Sequence, residues 1–331
     1  MRTLMISLDR NILKSTSAVA ERMRTYGKTQ TLDIIIPSPQ KSQLTLAENV
    51  QAYGTGGAKW QQFFRLIILG KNLCAQNHYD KISAQEPFLT GLIGLWLRRT
   101  PTQLEVQVHG DFFTSYYYRQ SSFKNWLYYW LGRLIVVPHA DKVRVVGERT
   151  KQSVLALGVS INKIITRPVP VDDGAIRAYT PVKNIKNDFP GFAKYFVYVG
   201  RLEPEKNVPW LIKTFAQYLR ESPGNAVLVI VGEGSQKPII QEIVTRSECT
   251  KNVNFVGWLD NPLDYIKTTD CVLAASLAEG YGLVPMEAAA AGTKIIMTDA
   301  GVAGYELKAS DRVRIVPVDD QPAFITALKE I

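Results

Sequence analysis

The amino-acid sequence predicts an α/β protein made of two Rossmann-like domains, and three observations carry that expectation. Its 331 residues exceed the size at which one hydrophobic core usually keeps growing. Short apolar runs alternate with longer helical patterns, which argues for parallel sheets with helices on both faces. The alternation occurs twice, on either side of a polar stretch bearing Pro and Gly.

In the first half, Leu4–Leu8, Leu32–Ile36, Lys81–Ala84, Leu104–Val108 and Val143–Val146 read as strands, and Ala18–Tyr26, Trp60–Leu73 and Phe88–Leu97 as helices. In the second half, strands are expected at Tyr195–Val199, Val227–Val231, Val253–Val256, Cys271–Ala275, Lys294–Met297 and Val313–Val316. The stretch from Val171 to Gly191 has the composition of a connection, so the domains are placed at residues 1–176 and 192–331 with a linker at 177–191. No solenoid period or low-complexity tract is present.

The densest chemistry lies in Glu279-Gly280-Tyr281-Gly282-Leu283-Val284-Pro285-Met286-Glu287, a Gly-rich turn running into an Ala-rich helix. Pro285 suits a first helical turn, because its φ is already helical and its missing N–H would have no partner there. The helix is therefore expected to start near Val284 or Pro285, with Glu287 in its first turn. Its N-terminus would attract an anion, while Gly280 and Gly282 let a ligand approach the backbone of Tyr281 and Leu283. From spacing alone, the two carboxylates capping a core helix is the minor alternative.

A second segment, Phe196–Gly200 followed by Arg201-Leu-Glu-Pro-Glu-Lys206, reads as a strand and a strand-to-helix turn, the place where ligands bind in open α/β sheets. Arg offers a planar fork and Lys a compact charge, so Arg201 and Lys206 together suit a diphosphate without a metal. The plain alternative is a solvated basic face.

Taken together, Gly200–Asn207, Val231–Gly234, Asn254–Gly257, Glu279–Glu287 and Thr298–Gly301 resemble, in order and spacing, the donor domain of the retaining glycosyltransferases of family 4, which have the GT-B fold. The resemblance implies two Rossmann-like domains with parallel sheets facing across a cleft. It implies that Arg201 and Lys206 bind the donor diphosphate, that Glu279 touches the donor sugar and that Glu287 binds the ribose hydroxyls. Gly200, Gly232 and the strand end at Val256 and Gly257 would line the nucleotide pocket through their backbone. The co-substrate would be a nucleotide diphosphate sugar, with no further cofactor and no metal. In the first half, Ser83–Gly94 and Val106–Asp111 resemble the acceptor side of bacterial members that build surface polysaccharides, and His109 is expected to contact the donor sugar, with Asp111 a weaker candidate. The paired glycines that many members carry in the first strand-to-helix loop are absent from Leu8–Ser17. The sequence also ends at Phe324–Ile331, inside a helical pattern and short of the crossing helices the resemblance implies.

Charge adds something the resemblance does not. Residues 1–180 hold 23 Lys and Arg against 12 Asp and Glu, and residues 181–331 hold 16 against 18. The basic excess lies wholly in the first half, which points to an anionic partner there. The stretch Phe112–Arg133 mixes Trp, Tyr and cations as interfacial segments do, and no nucleic-acid motif accompanies it, so an anionic membrane surface and a glycan or lipid-linked acceptor are expected. A helix that buries its aromatics and shows its cations to water is the other reading of that stretch. Trp126–Val137 is too short to span a bilayer, and the apolar run of Met1–Asp9 is too brief for a signal peptide and reads as the first strand. Cys74, Cys249 and Cys271 suggest neither a disulfide framework nor a zinc site, and a cytoplasmic setting is expected.

The reaction the resemblance implies is transfer of a hexose to an acceptor hydroxyl with retention at the anomeric carbon. A nicotinamide dehydrogenase would need a GxGxxG turn where Asp9-Arg10-Asn11 stands. A non-catalytic sugar-nucleotide or glycan-binding protein of the same fold is the remaining alternative.

Overall fold

The computed structural model describes residues 1–222 and 225–331. Contacts divide the chain into one unit of residues 1–146 and 150–167 and a second of residues 147–149 and 168–331. Each is built on its own sheet.

The first sheet has eight strands: β1 (Arg2–Ile6), β2 (Thr31–Ile36), β3 (Lys41–Ala47), β4 (Val50–Thr55), β5 (Lys81–Ala84), β6 (Gln103–Val108), β7 (Lys142–Val145) and β8 (Ile164–Thr166). Their order is β3-β4-β2-β1-β5-β6-β7-β8, parallel except for the antiparallel pair of β3 with β4. Successive residues of β1 enter different cores, as strand alternation requires. Leu4 and Ile6 pack with Leu66, Ile93, Leu97 and Val136, whereas Met5 packs with Ala20 and Met23. The helices Lys59–Gln76 and Leu89–Leu97 and the π-helical segment Gly132–Val136 therefore share one face of the sheet, and Ala18–Gly27 covers the other.

The second sheet is wholly parallel: β9 (Lys194–Val199), β10 (Ala226–Val231), β11 (Val253–Gly257), β12 (Cys271–Ala274), β13 (Lys294–Thr298) and β14 (Val313–Val316), in the order β11-β10-β9-β12-β13-β14. Strand order reverses between β9 and β12, so the loops that leave their carboxyl ends splay apart and form a crevice. Those loops begin at Gly200 and Ala275.

The stretch 177–191 carries part of the helix Asp173–Ala178 and all of Ile185–Asp188, and it is fastened to the second unit. Asp264 accepts hydrogen bonds from the Tyr179 hydroxyl (3.0 Å) and the Val182 amide (2.7 Å), and Ile185 is fully buried. A polar composition conceals this, because several of the anchoring groups, the Val182 amide and the carbonyls of Ile176, Arg177 and Tyr179 that accept from Lys267 among them, are backbone.

Candidate functional site

The site is assembled at the switch point of the second sheet. After β9 the chain turns at Gly200, buries Leu202 in the core and forms a single 3-10 turn, Pro204–Lys206. Asn207, left-handed at φ 56°, then starts the helix Val208–Glu221. The Leu277 amide donates to the Glu205 carbonyl at 2.9 Å, which ties this turn to the loop after β12. Lys206 and Glu279, 73 residues apart in sequence, form an ion pair across the junction, both side chains about four-fifths buried. The Ser276 hydroxyl also donates to Glu279 at 2.9 Å, and Thr298 holds the Ser276 carbonyl at 2.7 Å. Glu279 is thus fixed from two sides, by Lys206 and by Ser276. Arg201 is differently placed: it is mostly exposed and pairs with Glu205 at 2.9 Å.

Three strand-end glycines, Gly200, Gly232 and Gly257, lie side by side. The Gly232 amide donates to the Gly257 carbonyl at 2.8 Å, and a Cβ on Gly232 would fall 1.9 Å from the Gly200 carbonyl oxygen. Val256, half-buried, belongs to the same strand end. Tyr198 donates its hydroxyl to the Arg201 carbonyl at 3.0 Å, and burial, reinforced by Glu279 and Glu205, pushes its pKa upward, so it stays a neutral donor.

The helix after the Gly280–Gly282 turn spans Leu283–Ala291, with Gly282 as its N-cap at φ 106°. It starts earlier than expected, and Pro285 is its third residue. That position still needs no N–H, because the first four amides of a helix have no intrahelical acceptor. Glu287 consequently sits in the second turn, not the first. It is half-buried with no ion-pair or hydrogen-bond partner among the described residues, and desolvation raises its pKa. The turn itself is pinned from the far side, since the Val302 amide donates to the Tyr281 carbonyl at 2.7 Å and Gly301 packs against that carbonyl.

Sequence patterns gave no hint of Arg149. It belongs to the segment 147–149 that groups with the second unit, donates to the carbonyls of Gly301 and Ala303 at 2.9 Å each, pairs with Asp299 and lies over the Tyr305 ring. No local motif surrounds it; its only signal would have been an Arg with three acceptors distant in sequence.

The second unit therefore gathers Gly200, Arg201, Lys206, Gly232, Val256, Gly257, Glu279–Leu283 and Glu287, while His109 lies in the first unit just past β6. Its imidazole reaches solvent, yet desolvation, followed by the positive charges of Arg144 and Arg22, lowers its pKa to about 4. His109 is thus a neutral donor or acceptor at physiological pH. An NMR titration should find this depressed value, and Arg144→Gln should raise it; an ordinary His titration would refute the assignment. Asp111 caps its own turn, accepting from the Thr114 amide at 3.1 Å and from the Thr114 hydroxyl.

Residues 193–331 match the family model described as glycosyl transferases group 1. The chain is 25% identical over 270 residues to the putative glycosyltransferase EpsD of Bacillus subtilis, covering 76% of this chain and 67% of that one. It is 31% identical over 112 residues to an uncharacterized glycosyltransferase of Methanocaldococcus jannaschii, covering 34% of this chain and only 27% of that protein. Among solved structures, the sucrose-phosphate synthase of Thermosynechococcus elongatus superposes with a TM-score of 0.78 at 18% identity, over 100% of this chain and 89% of the other. Anabaena HepE, solved with UDP and glucose, gives 0.73 at 14% identity over 99% and 89%. The architecture, two Rossmann-like units with parallel sheets, is that of the GT-B glycosyltransferases.

Proposed function

We propose that the protein is a retaining, metal-independent glycosyltransferase that moves a hexose from a nucleotide diphosphate sugar to a hydroxyl of a glycan or lipid-linked acceptor in glycoconjugate synthesis. The observation that carries this reading is Glu287, a half-buried carboxylate without a partner among the described residues, on the helix that follows the Glu279–Gly282 turn. A desolvated acceptor of this kind is costly unless a ligand supplies donors, and the vicinal hydroxyls of a ribose supply two. The base would lie against the backbone of the strand ends at Gly200, Gly232 and Gly257.

With donor bound, its diphosphate would lie against Lys206 and Arg201, drawing Lys206 into contact with phosphate as well as Glu279. As the bond from the anomeric carbon to phosphate oxygen breaks, negative charge grows on that oxygen, and these two cations stabilise it most in the transition state. Glu279 would hold the sugar hydroxyls. The acceptor oxygen then bonds to the anomeric carbon from the face the phosphate leaves, and the departing phosphate takes the acceptor proton.

Stabilisation of the second unit by UDP-, GDP- or ADP-sugars in a thermal-shift screen tests donor binding and selects the base, because a ligand of the native state raises its stability. Slow donor hydrolysis without acceptor separates an enzyme from a non-catalytic binder. Glu287→Gln makes two effects of opposite sign. The donor Kd should rise by about tenfold or more, since a charged acceptor of ribose hydroxyls is lost. Folding raises the pKa of Glu287, so its ionisation costs stability as pH climbs above the unfolded carboxylate value, and E287Q should be the more stable chain at neutral pH but not at acid pH. A variant that lost stability at neutral pH and kept its donor affinity would mark Glu287 as structural.

A further inference from the structure

The first unit exposes an apolar face larger than the Phe112–Arg133 stretch alone. On the helix Lys59–Gln76, Trp60, Phe64 and Ile68 recur every fourth residue and point outward, with Trp60 71% exposed. Trp96, exposed at the end of the helix Leu89–Leu97, meets Phe63 at 6.1 Å between ring centres. On the helix Phe123–Leu131 and the π-helical segment after it, Phe123, Trp126, Leu127, Trp130, Leu134 and Ile135 are exposed, Phe123 by 79%. Other residues of the same elements, Leu66, Leu73, Ile93, Leu97, Tyr129 and Val136, fill one core on one face of the first sheet. The exposed residues are therefore the outer side of a single helical layer.

Charge selects the occupant. The elements that build this layer, Lys59–Gln76, Leu89–Leu97, Phe123–Leu131 and Gly132–Val136, contain five Lys and Arg and no Asp or Glu. Lys59, Arg65, Lys71, Arg99 and Lys124 are exposed. Beside Ile68 the face opens into a cavity of 450 Å³ lined by Lys41, Tyr53, Arg65 and Asn72. Aromatic rings interleaved with long cations, and free of carboxylates, match the interfacial zone of an anionic bilayer, where rings sit at headgroup depth and cations meet lipid phosphate. No described helix is long and apolar enough to cross a membrane.

We infer that this helical layer docks the protein on an anionic lipid surface, with Trp60, Phe64 and Trp96 inserting alongside Phe123, Trp126 and Leu134. The inference does not depend on the donor site, so a chain that binds vesicles but turns over no nucleotide sugar leaves it intact.

The test uses the full chain with vesicles of phosphatidylcholine, with and without phosphatidylglycerol, at low and high salt. Binding should require phosphatidylglycerol, weaken with salt and shift tryptophan emission to the blue. Replacing Trp60, Phe64, Phe123 and Trp126 by Ser should lower the apparent partition coefficient about 100-fold without lowering Tm, because these side chains are exposed, and K59E/R65E/K124E should lower it about tenfold or more. Absence of binding to phosphatidylglycerol vesicles, or unchanged binding by the Ser variant, overturns the proposal. So does a dimer, seen by sedimentation velocity without lipid, that the Ser variant dissociates, since the face would then cover a second copy.

Discussion

Lys206→Ala should lower kcat for transfer by about 100- to 1000-fold, the range found when one preorganised group that stabilises developing negative charge is removed. The ammonium is held in place before any donor arrives. It is mostly buried, paired with Glu279, and carried on a one-turn helix whose preceding Leu202 is locked in the core. Such a charge is positioned by folding and costs little reorganisation at the moment of bond cleavage. Arg201, more exposed and paired only with its neighbour Glu205, should give a smaller loss when replaced by Ala. Truncating Lys206 also strips Glu279 of its cation, leaving the Ser276 hydroxyl as its remaining partner. Lys206→Arg separates the two effects, because it restores a cation for Glu279 while changing the geometry offered to phosphate. The expected order of kcat is wild type, then Arg, then Ala, with the second unit's unfolding transition nearly unchanged in the Arg variant. Transfer kinetics in Lys206→Ala that match wild type would remove the diphosphate assignment.

Much of this arrangement is written in local pattern. The inner strands β9, β10, β12 and β13 are apolar runs because both faces are covered, and such runs need no knowledge of tertiary structure to be recognised. The antiparallel pair of β3 and β4 escaped notice for the opposite reason. β3 is an edge strand whose first three residues, Lys41, Ser42 and Gln43, are all exposed, so it lacks an apolar run, and β8 is only three residues long. The ion pair of Lys206 with Glu279 is legible only once strand order is known. Each residue follows its own strand, and nothing in sequence announces that β9 and β12 are neighbours. The placement of Glu287 depends on a smaller point. Pro285 is compatible with any of the first helical positions, so proline bounds a helix start without fixing it, and one or two residues decide whether a carboxylate belongs to the first turn or the second. Arg149 lies beyond local reading altogether, because its acceptors are the carbonyls of Gly301 and Ala303.

Gly232→Ala should be among the most damaging single-methyl substitutions in the second unit, costing about 3 kcal/mol from strain and overpacking together. Two separate facts set that figure. The residue sits at φ 147°, a conformation that L side chains rarely adopt, and its new Cβ would lie 1.9 Å from the Gly200 carbonyl oxygen. The obstacle is backbone at the end of β9, so no side-chain rotation relieves it. Gly191 provides the comparison, since it lies in the same unit at φ 93° with nothing within 4 Å of its Cβ position. Gly191→Ala therefore carries only the conformational cost, about 1 kcal/mol. Chemical unfolding of the second unit's transition should show Gly232→Ala well below Gly191→Ala, and equal losses would mean that the strand ends move apart without cost. The functional consequence follows from the same collision. Pushing β10 away from β9 displaces Gly200 and, through the turn that follows it, Arg201 and Lys206, so donor affinity should fall with stability in Gly232→Ala and remain intact in Gly191→Ala.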